Sequence, residues 1–189
     1  MLALTHLQNE MMLQKGFDIL IKHKNDLSQS EIEEIVELCS LAFEEPYGKY
    51  LDTFPNPTHV LGRQNGVLVS HALWITRWMQ VKGKRPMKTA YVEGVATEKS
   101  QQGKGYASAV MTALAEQIRD FEIGGLSPAE TTLYRRLGWE YWLGPLYTRV
   151  EGRWLLIPEE TAMIYRTPNT PTLDIHAPLS IEWREGEVW

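Results

Sequence analysis

The sequence feature that most constrains the fold is a glycine loop placed between a strand and a helix. Residues 91–97 read YVEGVAT and predict a strand, and residues 100–109 read SQQGKGYASA, with two glycines around a lysine. Apolar residues then recur at helical spacing. A helix N-terminus that is approached through glycines offers free N–H groups to an anion. The segment is therefore typical of proteins that hold a phosphate group.

Two common phosphate-binding loops do not fit this segment. A P-loop requires Gly-Lys-Ser/Thr, but Lys104 is followed by Gly105 and no hydroxyl is in place for magnesium. A dinucleotide-binding loop requires Gly-x-Gly-x-x-Gly, and here Ser108 replaces the third glycine. The pattern that remains is Gln102-x-x-Gly105-x-Ala107 after a strand.

The elements before the loop are a strand, a helix and a set of hairpins. Residues 16–24 alternate and predict a first strand, and Ser28 with Glu31 forms a capping box at the start of a helix. Residues 58–97 predict three antiparallel strands with a tight turn at Asn65-Gly66. After the loop helix we expect a short strand, a short helix ended by Gly138, a further strand region and an irregular tail.

This order of elements and the Gln-x-x-Gly-x-Ala loop resemble the GNAT acetyltransferases. The resemblance implies an α+β fold, with helices flanking a central mixed, mostly antiparallel sheet. It implies one domain over residues 1–189, with residues 1–15 as a poorly ordered N-terminal extension. One branch, the aminoglycoside 2′-N-acetyltransferases, is resembled further in the stretches THVL, SHALWITR, YVEGVA, LYRRLGW and EWREGEVW.

The resemblance implies acetyl-CoA as donor and no metal. Glu93 would take the proton of the reacting amine, the Val95 N–H would bind the thioester oxygen, and Tyr134 would lie near the coenzyme sulfur. The implied coenzyme contacts are Val95, Ala96, Thr97, Gln102, Gly103, Lys104, Gly105, Tyr106 and Ala107.

The resemblance also implies an acidic acceptor pocket, since an aminoglycoside carries several ammonium groups and carboxylates bind these by charge-assisted hydrogen bonds. The implied acceptor residues are Glu44, Glu45, Glu93, Gly94, Ser127, Glu159, Glu160, Glu187 and the carboxylate of Trp189. Within the pairs Glu44/Glu45 and Glu159/Glu160 the residue that faces the pocket stays open. Acceptors of the deoxystreptamine type and of the kasugamycin type stay open as well.

Composition limits the other readings. A net charge of −5 disfavours a nucleic-acid partner, and no apolar run approaches the length of a membrane span. The single cysteine, Cys39, has helical spacing to apolar neighbours and is expected in the core of a cytoplasmic protein. His71 is expected as a buried or strand-face histidine and not as a metal ligand. Antibiotic resistance, a homodimer, another amine acceptor (a polyamine, an amino sugar or a protein N-terminus) and a non-catalytic acyl-CoA-binding domain remain hypotheses.

Overall fold

The computed structural model describes residues 15–186 and 188–189, so the expected N-terminal extension lies outside the described residues except for Lys15. None of the described helices is long and apolar enough to cross a membrane. The helices are α1 (Gln29–Phe43), α2 (Gly48–Leu51), α3 (Tyr106–Gln117) and α4 (Thr132–Arg136), and short 3-10 turns lie at Lys24–Asp26 and Lys99–Gln101.

Among the described residues ten strands form the sheet. Eight of them have the spatial order β6-β9-β5-β4-β3-β10-β7-β8, and β2 pairs with β3 and with β1. Only the β4–β5 and β7–β10 pairs are parallel. The predicted mixed, mostly antiparallel sheet is therefore confirmed. The strands are β1 (Phe17–His23), β2 (Thr58–Gln64), β3 (Val67–Val81), β4 (Met87–Thr97), β5 (Ile123–Leu126), β6 (Glu140–Tyr141), β7 (Leu146–Val150), β8 (Arg153–Leu156), β9 (Met163–Arg166) and β10 (Leu179–Glu182).

Local sequence chemistry explains the first half of the fold. The capping box is present, because Ser28 Oγ accepts from the Glu31 N–H at 3.2 Å and the Glu31 carboxylate accepts from the Ser28 N–H at 2.9 Å. Asn65 and Gly66 both have positive φ, 50° and 85°, which is the conformation of a two-residue hairpin turn. Each feature was predicted from the sequence and is confirmed.

The expectation of an irregular tail is wrong. β9 pairs with β5 and β6, and β10 lies between β3 and β7 in the middle of the sheet. Met163, Ile164, Leu179 and Ile181 are fully buried there. Prolines fill the connections around these strands, and four-residue strands are too short for a readable alternation. Burial against the rest of the sheet decides their conformation.

The sheet opens between β4 and β5. Pairing joins only residues 89–91 of β4 to residues 123–125 of β5, so β4 runs on from Val92 to Thr97 without a strand on that edge. Apolar side chains fill both faces of the sheet, with α1 on one face and α3 on the other. The unpaired edge of β4 therefore lies between two packed layers, and the glycine loop follows directly after it.

Candidate active site

A β-bulge lies in β4 where the strand leaves β5. The register passes from Leu73 opposite Glu93 to His71 opposite Ala96, so Ala72 faces two residues, Gly94 and Val95. Gly94 has φ 58°, and a Cβ there would lie 2.3 Å from the Tyr47 hydroxyl oxygen. The position therefore requires glycine.

Buried polar groups of β3 and α1 contact the bulge. His71 Nδ1 lies 2.7 Å from the Gly94 carbonyl oxygen, and the Cys39 thiol lies 3.9 Å from the same oxygen. Both side chains have no solvent exposure, which confirms their expected place in the core. Burial raises the pKa of the Cys39 thiol well above its usual range, so the thiol stays protonated. The described residues contain no cluster of His, Cys, Asp and Glu arranged to hold a metal ion.

The glycine loop presents an open helix N-terminus. Gly103 and Gly105 have φ of 76° and 88°, and no side chain caps α3 at Gly105. A Cβ on either glycine would meet no atom within 4 Å, so the approach to the first-turn N–H groups is clear. The loop is itself held in place, since the Gln102 amide donates to the Thr97 carbonyl at 3.3 Å. These groups fit a pyrophosphate.

Tyr106 is an implied coenzyme residue whose side chain packs inside the protein. Its side chain is buried, stacks on Phe17 with ring centroids 4.6 Å apart, and its hydroxyl donates to Gln64 at 3.0 Å. Only the main chain of Tyr106 is placed to face an anion at the helix N-terminus, while its ring fixes the start of α3 on the sheet.

Glu93 forms an ion pair that the sequence did not predict. Its carboxylate lies 3.0 Å from Arg184 Nη2, and the two side chains are 18% and 11% exposed. Arg184 also donates to Thr53 Oγ1 at 3.3 Å and lies over the Phe54 ring. Burial lowers the pKa of the Arg184 guanidinium, and the Glu93 carboxylate opposes that shift. The carboxylate that is expected to act as the base is therefore paired with the Arg184 guanidinium.

The terminal segment is tied to β3 by Arg77, a buried arginine. Arg77 Nε donates to the Glu182 carboxylate at 2.8 Å and Nη1 donates to the Val188 carbonyl at 3.1 Å. A cleft of about 310 Å³ lies beside this anchor. It is lined by Asp52, Thr53, Pro55, Thr76, Arg77, Glu182, Trp183, Arg184 and Glu185.

Two implied acceptor residues meet on the other side of the β4 edge. The Ser127 hydroxyl, just after β5, donates to the Glu160 carboxylate. Glu160 also lines a cleft of about 640 Å³ between the 141–146 and 156–161 segments. Burial raises the pKa of the Tyr91 hydroxyl, and charges from both groups, Glu93, Arg77, Glu160 and Arg184, act on it as well.

The remaining implied acceptor residues have different surroundings. Glu44 ends α1 and is exposed, and Glu45 accepts from the Tyr50 hydroxyl at 2.7 Å and pairs with Lys49 at 3.5 Å. Glu159 is exposed and Glu187 lies outside the described residues. The Trp189 side chain is 8% exposed and packs in the core, and the acceptor role of its carboxylate stays a prediction.

Tyr134 lies on α4, where its ring meets Trp139 edge-on with centroids 6.2 Å apart. It packs in the same apolar cluster as Val95. Burial, with a smaller contribution from Glu130, raises the pKa of the Tyr134 hydroxyl to about 12. The hydroxyl is therefore a hydrogen-bond donor at any physiological pH.

Comparison with known proteins identifies the class. The acetyltransferase (GNAT) domain family matches residues 24–142. The chain therefore belongs to the GNAT acetyltransferase family, as predicted, and is an N-acetyltransferase by that membership. It is 29% identical over 180 residues to an aminoglycoside 2′-N-acetyltransferase of Mycolicibacterium fortuitum, with 88% of this chain and 89% of that protein covered.

Solved structures agree on the fold. The GNAT family N-acetyltransferase YhbS from Escherichia coli, solved in complex with CoA, matches with a TM-score of 0.61 and 14% identity over 91% of this chain and 93% of its own. A GCN5-related N-acetyltransferase from Kribbella flavida matches with a TM-score of 0.55 and 20% identity over 69% of this chain. The match spans 34% of the Kribbella protein, about a third of its length.

Proposed function

We propose that this protein transfers the acetyl group of acetyl-CoA to the 2′-amino group of an aminoglycoside. The observation that carries the proposal is the place of Glu93. Its carboxylate is beside the bulge on the β4 edge that β5 leaves open, and the glycine loop follows on the same edge. The similarity to the Mycolicibacterium fortuitum enzyme supports the aminoglycoside as acceptor.

Acetyl-CoA supplies an acetyl group activated as a thioester. The open N-terminus of α3, reached through Gly103 and Gly105, suits its pyrophosphate. The β4 segment from Val95 to Thr97 lies beside β3 on one side and has no β5 strand on the other, and this free side suits the pantetheine arm. With the neutral Gln102 in the loop, the Lys104 side chain, the main-chain N–H groups and the helix dipole supply the positive potential there.

The residues of this chain then divide the chemistry of direct transfer. Glu93 takes the proton of the attacking amine, directly or through a water molecule. The Val95 N–H donates to the thioester oxygen, on which negative charge develops as the nitrogen–carbon bond forms. Cys39 takes no part as a nucleophile, because its buried thiol stays protonated.

Tyr134 would act on the departing sulfur as a hydrogen-bond donor. Its pKa of about 12 lies above the value of about 8.5 that is usual for a thiol. Complete transfer of its proton to a thiolate is therefore uphill, whereas a hydrogen bond that strengthens as the carbon–sulfur bond breaks is favourable. The expected loss on removing this hydroxyl is accordingly moderate.

The charges around the open edge suit a polycationic acceptor. Glu160 and Ser127 lie on the β5 side and Glu93 lies on β4. An ammonium group that approaches Glu93 competes with Arg184 for the carboxylate, so binding of the acceptor is expected to move or replace this arginine. The proposal includes acceptors of the deoxystreptamine type and of the kasugamycin type. It also includes antibiotic resistance as the consequence of their acetylation.

A thiol-release assay with acetyl-CoA and a panel of amines tests the proposal. We expect release with aminoglycosides that carry a 2′-amino group, and little with polyamines, amino sugars or peptide N-termini. Release with one of those amines and none with any aminoglycoside would contradict the proposed acceptor. Binding of CoA without release for any amine would favour a non-catalytic acyl-CoA-binding domain.

Matched variants test the proposed roles. Glu93→Gln should lower kcat about 100-fold or more and Tyr134→Phe about 10-fold, in the range of general acid–base effects. Glu37→Gln, an exposed carboxylate on α1, and Tyr165→Phe, a tyrosine in the same apolar cluster as Tyr134, serve as controls and should keep full activity. Equal changes of kcat in the site and control variants would contradict the roles proposed for Glu93 and Tyr134.

A further inference from the structure

Two buried histidines form a chain behind the β4 bulge. His59 Nδ1, on β2, lies 3.0 Å from His71 Nε2, and His71 Nδ1 lies 2.7 Å from the Gly94 carbonyl oxygen. The rings are 1% and 0% exposed. Neither histidine has a part in the proton transfers proposed for the reaction.

The contacts determine where the protons are. A carbonyl oxygen only accepts, so His71 Nδ1 carries hydrogen and donates it to Gly94. His71 Nε2 is then an acceptor, and His59 Nδ1 donates to it. Burial lowers the pKa of His59 to about 4 and that of His71 to about 3, so both rings are neutral at physiological pH. His59 Nε2 is buried and without a partner among the described residues, so the chain ends there.

The peptide plane links this chain to the open edge of β4. The Gly94 carbonyl and the Val95 N–H belong to one peptide group, and none of the described peptide bonds is cis. In a trans peptide these two groups point in opposite directions. The hydrogen bond with His71, with Cys39 of α1 nearby, holds the Gly94 carbonyl among buried side chains and therefore turns the Val95 N–H away from them. The N–H lies in the part of β4 that has no β5 strand beside it.

We propose that His71, oriented by His59, is a positioning residue that aims the Val95 N–H at the oxygen of the acetyl group. The inference rests on the proposed transfer at this edge. The bulge leaves the Gly94–Val95 peptide outside the regular ladder with β3, and Gly94 has the backbone freedom to rotate it. The His71 ring supplies the missing constraint, with the Cys39 thiol as a second, longer contact to the same carbonyl.

Two substitutions separate positioning from a general loss of structure. His71→Asn keeps an N–H near the place of Nδ1 and loses the contact with His59, whereas His71→Leu removes both. We expect His71→Leu to lower kcat about 30-fold to 100-fold, since misaligning an oxyanion donor has effects of this order. We expect His71→Asn to recover most of that loss. Both variants should keep the wild-type dissociation constant for CoA, the KM for the acceptor and the pH profile of kcat/KM.

Equal kcat for wild type and a folded His71→Leu would overturn the inference. A shifted pH profile of kcat/KM in His71→Asn would overturn it as well, because that shift would show that His71 relays a proton. Nitrogen-15 NMR of the wild-type histidines is an independent test if His71→Leu does not fold. It should show the Nδ1–H tautomer at His71 from pH 5 to 9, and the Nε2–H tautomer or a charged ring would refute the arrangement. Absence of wild-type turnover with any amine refutes the proposed function instead, and the tautomer then still decides the arrangement.

Discussion

Replacing Glu182 with glutamine should destabilise the protein and loosen the terminal segment, because it removes the only carboxylate that pairs with Arg77 among the described residues. Arg77 is 2% exposed, and its Nε donates to Glu182 at 2.8 Å. The other Glu182 oxygen accepts from the Trp78 N–H at 2.9 Å. A glutamine keeps one acceptor but turns an N–H₂ group towards one of these two donors.

The magnitude follows from the burial of the two partners. Breaking a buried ion pair costs about 3–5 kcal/mol because the remaining charge stays out of water. The Glu182 side chain is 33% exposed, so part of its charge is already screened and the lower end, about 3 kcal/mol, applies. For a chain of this length the melting temperature should fall by about 6–12 °C.

Reversible urea unfolding and thermal unfolding measure the loss, and Glu185→Gln is the matched control. Glu185 is exposed three residues further along, and its substitution should change stability by less than about 0.5 kcal/mol. In a thiol-release assay Glu182→Gln should raise the acceptor KM and leave CoA binding unchanged, because only the terminal segment is loosened. Equal melting temperatures for the two variants would refute the role of Arg77 as anchor.

Three further predictions concern the bulge, the thiol and the capping box. Gly94→Ala should lower kcat at least about tenfold, since it forces a Cβ against the Tyr47 hydroxyl at positive φ. Adding Tyr47→Phe to this variant should restore part of the lost kcat, and full activity of Gly94→Ala alone would contradict the predicted clash. Iodoacetamide at pH 8 should leave Cys39 unmodified in the folded protein and label it after unfolding, so rapid labelling of the folded protein would disprove the buried thiol. Lys22 and the cap lower the pKa of Glu31 to about 2 from 4.5, so its stabilisation is complete above pH 4.5 and lost as the pH falls towards 2. The difference in unfolding free energy between wild type and Glu31→Gln should narrow over that interval, and a constant difference would exclude this linkage.

The first half of the fold and the glycine loop could be predicted from the sequence because their signals are local. Ser28 with Glu31, Asn65 with Gly66 and the glycines before α3 each act within four residues. β9 and β10 could not be predicted in this way. Their pairing depends on β5, β3 and β7, which are distant in sequence, and the prolines around them suggested an irregular segment.

The acidic residues of the candidate site could be predicted from the sequence better than its arginines. Glu93, Ser127 and Glu160 were expected from the resemblance, whereas Arg77 and Arg184 were not assigned a role. A signal for Arg77 was present. It takes its place in the every-second-residue series Leu73, Ile75 and Met79 on the buried face of β3, and a buried charge requires a partner. Arg184 gave no such signal, because it follows β10 outside any helix or strand and so has no apolar alternation around it.

The central claim is tested most directly by the structure of a reaction product. Two aminoglycosides that differ only in an amino or a hydroxyl group at the 2′ position are incubated with the protein and acetyl-CoA, and the products are examined by mass spectrometry and two-dimensional NMR. We predict one added acetyl group, as an amide on the 2′ nitrogen, for the amino compound and an unchanged hydroxyl compound. An acetyl group on another nitrogen, equal acetylation of both compounds, or no product from either would contradict the account.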